Sequence, residues 1–468
     1  KCPVVNQAAR RPNVLIVYCD DLGYGDLGCY GSRAIDTPNI DRLAEEGVLF
    51  TDFHACSAIC APSRAGLLTG RYPFRTGIIG NTYPKDEPLT RVMARNFGQM
   101  LGSLGVLDIR ESYIARGISD AEITIAEALK SGGYRTCMAG KWHLGDYSND
   151  PKYNPLEHGF DHYLGVPYSN DMVPFPLYRN ETELSPDLGQ DRDQAKLTGL
   201  YTKEVLQFIE EGGEEPFFIY LAHTFPHQPI FASEEFRGTS RAGRYGDAVE
   251  EIDWSLGRLW EVLKQEGLLD ETLIIFTSDN GPWYEGSSSH LRGRKGQSYE
   301  GGFRVPFIAR WPEAIEGGGE VDALSSNLDL FPTILALAGV GLPEDRIIDG
   351  HNILPLLSGR STETPYDAFY YYHYDRLDGL RTERWKYFEK TDRYTWPIAI
   401  DTAPIPNALG KKQMGERWPL LYDMKLDPAE SYNTIDTYPK KAEEMKERFE
   451  NWKARTERNP RGFGNRRP

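Results

Sequence analysis

Apolar runs closed by turn-forming residues recur along the chain: "NVLIVYC" (13–19), "VLFTDFHA" (48–55), "RTCMAG" (135–140), "PFFIYLAH" (216–223), "TLIIFTSD" (272–279) and "RVPFIARW" (304–311). Runs that are apolar throughout suit strands buried on both faces, as in a mostly parallel sheet. Helical patterns lie between them. Residues 118–133 read as a helix capped by Asp120 and stopped at Gly132-Gly133. Within 241–265, Val249, Ile252, Leu256, Leu259 and Leu263 recur at three- and four-residue spacing and mark one apolar helix face. Strands alternating with helices predict an α/β sandwich.

The pattern changes after about residue 360. Residues 366–389 read as two antiparallel strands turning near Asp378-Gly379, and 439–457 as a charged surface helix. The expected division is a catalytic α/β domain over 1–364 and a smaller α+β subdomain over 365–468. Residues 390–420, rich in proline and without periodicity, read as a long loop of the kind that often carries function.

Charge narrows the partners. The 468 residues carry a net charge of −16, which argues against a nucleic acid or an anionic membrane, since phosphate-binding surfaces are usually basic. No stretch approaches the roughly 20 apolar residues of a membrane span. The start of the sequence shows no apolar signal core, so a leader has been removed or was never there. Six cysteines without a C-x-x-C pair make neither a disulfide scaffold nor a zinc site. Cys19 and Cys137 sit in apolar runs as small hydrophobes. Cys60, in "SAICAPSRAGLLTG" (57–70), does not fit that role.

Ligands of parallel sheets bind at the carboxyl ends of the strands. There the chain places Asp20-Asp21 and Asp279-Asn280, hard oxygen donors suited to calcium or magnesium; acidic residues also favour such turns without any metal. Lys141 and His143, two apart in an extended segment, would point to one side. His227 lies between two prolines, and "HLRGRKG" supplies His290, Arg292, Arg294 and Lys295. A solvated loop is the ordinary explanation of such cations, but here they converge with histidines on strand ends where a tetrahedral anion would bind. A helix starting at Pro62 would put Cys60 just before its N-terminus, a natural anion site. A local base and orienter for a cysteine nucleophile are missing.

"CAPSRAGLLTG" (60–70) and "GYRTCMAGKWH" (133–143) resemble the two signatures of the formylglycine-dependent sulfatases, in the alkaline phosphatase superfamily. The likeness continues in order through "VYCDDLGYGDLGCYG", "FPHQP", "FTSDNGP", "KGQSYEGGFRVP" and "LYDMKLDPAESYN", and is nearest the arylsulfatase A and N-acetylgalactosamine-6-sulfatase branch. The resemblance implies an alkaline-phosphatase-like sandwich that hydrolyses sulfate monoesters through a sulfated-enzyme intermediate. It implies that a maturation enzyme oxidises Cys60 to formylglycine, and that Asp20, Asp21, Asp279 and Asn280 bind Ca2+ together with the residue at Cys60. It implies further that Arg64 steadies the aldehyde hydrate near Lys141 and His143, that Lys295 holds the sulfate, and that His227 protonates the leaving alcohol.

The expected substrate is a sulfated carbohydrate or glycosaminoglycan end, attacked in exo fashion, with galactose or N-acetylgalactosamine 6-sulfate as the candidate. Ser169, Asn170 and His290, with the loop after 390, are the expected substrate contacts. The resemblance also implies a secretory, lysosomal or periplasmic setting. Two other readings stay open: a phosphomonoester or phosphonate ester hydrolase of the same superfamily, and a sulfoglycan-binding protein without catalysis. The second would lack a nucleophile or a metal ligand, and none is missing here.

Overall fold

A computed structural model describes residues 11–93, 116–189, 192–391 and 418–464. Most of the proposed sugar-contacting loop after 390 lies outside the described residues. The strands, in chain order, are β1 (Asn13–Cys19), β2 (Val48–Phe50), β3 (Phe53–His54), β4 (Arg135–Lys141), β5 (His162–Val166), β6 (Leu177–Arg179), β7 (Thr182–Ser185), β8 (Phe217–Ala222), β9 (Thr272–Ser278), β10 (Phe307–Arg310), β11 (Gly319–Val321), β12 (Ser325–Ser326), β13 (Phe369–His373), β14 (Arg376–Arg381), β15 (Trp385–Phe388) and β16 (Leu420–Asp423).

Ten of them form one sheet in the order β11-β2-β10-β9-β1-β8-β4-β5-β6-β7. Its centre, from β9 to β5, is parallel. Antiparallel strands flank it: β10 against β9 on one side, β6 and β7 on the other. The alternation of side chains shows why the central runs are apolar throughout. Val14, Ile16 and Tyr18 of β1 enter the core under the Cys60–Thr69, Ile125–Ser131 and Leu330–Ala338 helices. Leu15, Val17 and Cys19 enter the opposite core, under Pro38–Glu45, Leu197–Glu210 and Gly243–Gln265. Both faces of the strand are covered, so its positions are apolar except Asn13 at the start, whose side chain accepts a hydrogen bond from the Phe217 N–H. Among the described residues, no helix is long and apolar enough to cross a membrane.

Two local expectations fail for physical reasons. The helix expected from 118 forms only over Ile125–Ser131, because Thr124 and Glu127 build a reciprocal capping box there in place of a cap at Asp120. The turn expected at Asp378-Gly379 lies instead at Tyr374-Asp375, and a third strand, β15, completes the segment. Gly379 sits inside β14, where a Cβ would stand 2.2 Å from the Tyr387 carbonyl oxygen of β15. That glycine serves close strand approach. Strands β13 to β16 form a separate antiparallel sheet, against which the Pro439–Arg458 helix packs through Met445 and Phe449.

A buried charge network ties this sheet to the short helix Glu300–Phe303, which leads into β10 of the large one. Glu300 accepts hydrogen bonds from Lys386 Nζ at 2.8 Å, Tyr371 Oη at 2.6 Å, Arg381 Nη1 at 2.8 Å and Arg304 Nη2 at 2.7 Å. Lys386 also pairs with Glu430 at 2.7 Å. Burial alone would raise the Glu300 carboxyl, but Lys386 first, then Arg381, His54 and Arg304, hold it well below the usual carboxylate range. Lys386→Met removes a cation that two buried carboxylates share. It is expected to cost about 3–5 kcal/mol, read as a lower midpoint in denaturant unfolding; an unchanged midpoint would deny the network its tethering role.

Candidate active site

The neighbouring parallel strands β9, β1, β8 and β4 deliver their carboxyl ends to one place. Asp20-Asp21 follow β1, Asp279-Asn280 follow β9, Lys141 closes β4, and His227 lies on the loop after β8. All but His227 are fully buried or nearly so. Gly140, with φ +116°, lets β4 end against β8, where a Cβ would stand 1.8 Å from the Ala222 carbonyl oxygen. The helix carrying the signature cysteine begins at Cys60, earlier than expected, and ends on left-handed Gly70. Cys60 therefore occupies the first turn itself.

Acids and cations interlock here. Arg64 donates to Asp279 Oδ2 through Nε at 3.1 Å and Nη2 at 2.9 Å, and to the Lys141 carbonyl at 2.9 Å. Lys141 Nζ reaches Asp20 Oδ2 at 2.5 Å and Ser169 Oγ at 3.3 Å. Lys295 Nζ bridges Asp21 Oδ2 at 2.8 Å and Cys60 Sγ at 3.1 Å. Burial would raise the Asp20 carboxyl, but Lys141, with His227, Arg64 and Lys295, holds it well below its usual range. Asp279, pressed by burial and by Asp20, is pushed up to about 7. Burial lowers both His227 and His143, with Lys295 reinforcing it at His227 and Lys141 at His143. His143 has a left-handed backbone, φ 59°, so the alternation expected from Lys141 is broken. The charges of Lys141, Arg64, Asp20 and Lys295 still act on its ring.

Asp21, Ser169, His227 and Lys295 line a cavity of about 470 Å³, whose wall also includes Asn81, Asp171 and Trp283. Ser169 thus stands where a substrate would enter. Asn170 and His290, expected beside it, are not among the lining residues. His290 is exposed on its loop. Asn170 is fully buried and engaged with His227, Gln194 and Pro229. Of the cations in the glycine-rich loop only Lys295 joins the site: Arg292 binds the Glu430 carbonyl and Tyr422, and Arg294 the carbonyls of Trp283 and Gly286. Sequence reasoning missed Trp283, although it follows "SDNGP" directly, and Gln194, which no motif marks.

The donor set suits a hard cation. Carboxylate oxygens of Asp20 and Asp21 lie within 4.8 Å of one another and of Cys60 and His227, and it is the oxygens, not the sulfur or the imidazole, that such a cation prefers. Asp20 Oδ1 and Asn280 Oδ1 are buried and have no hydrogen-bond partner among the described residues. Unpaired buried oxygens are costly unless something binds them. Asn280 Nδ2 donates to Asp21 Oδ1 at 2.7 Å and to the Gly281 carbonyl, which fixes its oxygen on the other side. Asp279, expected as a ligand, spends Oδ2 on Arg64 and Oδ1 on the Asp21 N–H.

Cys60 is 1% exposed. Burial pushes its thiol far up despite Lys141 and Lys295 nearby, so at neutral pH the sulfur is a protonated, weak nucleophile. In protein produced without a maturation enzyme, iodoacetamide at pH 7.5 is expected to label Cys60 slowly in the native state and quickly after unfolding, read by peptide mass. Rapid native labelling would contradict the protonated thiol.

Comparison with known proteins agrees with this arrangement. A family model described as Sulfatase matches residues 12–340, and one described as N-sulphoglucosamine sulphohydrolase, C-terminal, matches 294–455. Human N-acetylgalactosamine-6-sulfatase is 38% identical over 452 residues, covering 91% of this chain and 82% of the relative. Bovine arylsulfatase A is 36% identical, covering 93% and 86%. A structure solved in work on the metabolism of multiple glycosaminoglycans by Bacteroides thetaiotaomicron superposes with a TM-score of 0.77 at 28% identity, covering 95% of this chain and 100% of that one. A Pseudoalteromonas sulfatase gives 0.78 at 26%, covering 97% and 92%. With its acids, cations and buried cysteine gathered at the strand ends, the chain belongs to the sulfatase family and is a sulfuric ester hydrolase.

Proposed function

We propose that the protein removes sulfate from sulfated carbohydrates, in exo fashion, with galactose or N-acetylgalactosamine 6-sulfate as the preferred position. The observation that carries this reading is Cys60, buried in the first turn of its helix 3.1 Å from Lys295 Nζ, in a setting that keeps its thiol inert and its surroundings cationic. Such a thiol makes sense as the precursor of formylglycine. Its oxidation would also put an oxygen, a better ligand for a hard ion than sulfur, beside the acids.

A formylglycine hydrate at residue 60 would supply two hydroxyls where a serine has one, and Ca2+ would supply charge neutralisation; Asp20, Asp21 and Asn280 would hold it, with Asp279 contributing a lone pair left over by Arg64 and the Asp21 N–H. The remaining roles belong to this chain's side chains. Lys295 and Lys141 offer ammonium groups to sulfate oxygens, an arrangement of fixed charge that needs no reorganisation during reaction. Arg64, locked to Asp279 and the Lys141 carbonyl, holds residue 60 and the acids in register. His143 is kept neutral by burial and by Lys141, so it can accept a hydrogen bond from a hydroxyl at residue 60. His227 presents Nε2 to the cavity side, 3.4 Å from Ser169 Oγ. The ester's negative charge opposes the depression of its pKa, favouring a proton there for the leaving alcohol, a contribution of roughly 10²–10⁴ in rate.

The cavity supports a sugar. Its volume, about 470 Å³, falls in the range of small-ligand sites. Trp283 offers an apolar face to a pyranose, and Asp171 an acceptor for hydroxyls. The similarity to human N-acetylgalactosamine-6-sulfatase favours the 6-position. The same reading places the protein in a secreted, periplasmic or lysosomal setting with a formylglycine-generating partner, and divides the chain at 364/365, ahead of β13.

Cys60→Ser is expected to abolish sulfate release while leaving the unfolding midpoint near that of the parent, because a serine lacks the second hydroxyl. Activity near the parental level would sink the aldehyde mechanism, as would an unmodified Cys60 peptide mass in active material. Sulfate release from galactose 6-sulfate is expected to exceed that from the 3- and 4-sulfates at least tenfold in kcat/KM; equal rates would remove the positional assignment.

A further inference from the structure

A buried amide chain stands behind His227. His227 Nδ1 lies 2.9 Å from Asn170 Oδ1 and 2.5 Å from the Gln228 carbonyl oxygen. Asn170 Nδ2 donates to Gln194 Oε1 at 3.1 Å and to the Pro229 carbonyl at 2.9 Å. Gln194 Nε2 in turn donates to the carbonyls of Asn170 at 3.1 Å and Gly189 at 2.5 Å. Both amide side chains are 0% exposed.

Each orientation in this chain is forced by the next. Turning the Gln194 amide would set its oxygen against two carbonyl oxygens, so its Oε1 must face Asn170. Turning the Asn170 amide would set its oxygen against Gln194 Oε1 and the Pro229 carbonyl, so its Oδ1 must face His227. The imidazole then meets acceptors alone at Nδ1, which must carry hydrogen in every protonation state. That leaves Nε2 as the nitrogen that faces Ser169 Oγ, the Asp21 carboxylate at 3.8 Å and the cavity.

We propose that Asn170 and Gln194 are positioning residues that fix the tautomer and ring angle of His227, so that Nε2 alone exchanges a proton with the leaving oxygen. Asn170 thus acts through His227 and does not touch the sugar. The inference rests on the sulfatase reading of the site and deepens it. Its consequence is selective. An alcohol as acidic as 4-nitrophenol can depart as its anion without a proton, whereas a basic alkoxide needs one, so misplacing the donor must hurt the second kind more.

The test uses the matured enzyme with 4-nitrophenyl sulfate, phenyl sulfate and galactose 6-sulfate, following sulfate release. Asn170→Leu is expected to lower kcat/KM for the two poor leaving groups on the order of 10²-fold, and for 4-nitrophenyl sulfate at least tenfold less. Gln194→Leu, which unlocks the Asn170 amide, is expected to shift the same ratio in the same direction by a smaller amount. Because the ratio between esters cancels the quantity of folded enzyme, partial misfolding does not mimic it. An equal loss on all three esters in both variants would overturn the positioning role and leave the sulfatase reading standing. No sulfate release from any ester by the parent would overturn the sulfatase reading, and this inference with it.

Discussion

The compensation of buried charge at the carboxyl ends of the central strands is the constraint on which the rest depends. Asp20, Asp21 and Asp279 meet Lys141, Lys295 and Arg64 with almost no solvent between them. Left uncompensated, any one of these charges would cost several kcal/mol, a large part of a domain's net stability. The fold therefore has to bring distant segments together accurately. The strands must stand in the order β9, β1, β8, β4, and the Cys60–Thr69 helix must lie over them so that Arg64 reaches Asp279. The same balance makes the site useful: two ammonium groups lie near a cavity, and two buried oxygens have no hydrogen-bond partner among the described residues.

A second charge network, around Glu300 and Lys386, supports the first. It joins the small sheet to the segment that follows the glycine-rich loop bearing Lys295. Arg292 of that loop binds the Glu430 carbonyl, while the Glu300 N–H donates to the Glu430 side chain at 2.7 Å. The C-terminal part thus acts as a brace for the loop that presents Lys295, which gives it a structural role beside the part of the chain that carries every proposed reacting group.

Much of the architecture was legible in the chain. The run of residues 13–19 is a strand with those bounds because both its faces are buried, and a strand covered on both sides has no other pattern. The helix over Gly243–Gln265 follows from its repeating apolar positions in the same way. Where reading failed, a long-range contact had taken over a local signal. Asp378-Gly379 resembles a turn, yet Gly379 is there to admit the Tyr387 carbonyl. Lys141 and His143 were expected to share a side by strand alternation; the strand ends at Lys141 and His143 turns left-handed, yet the Lys141 charge still acts on the His143 ring.

The sequence by itself determined which chemical groups the protein owns, where its strands and main helices run, and through "CAPSRAGLLTG" and "GKWH" which family it belongs to, because these are properties of neighbouring residues. Only the tertiary structure decided which groups meet. Asn170 looked like a sugar contact beside Ser169, yet one side chain faces the cavity and the other backs His227. Gln194 had no motif at all, and its part arises from carbonyls that folding places around it. Hydrogen-bond partners and burial are set by chain segments far apart in sequence, so no local pattern of residues encodes them.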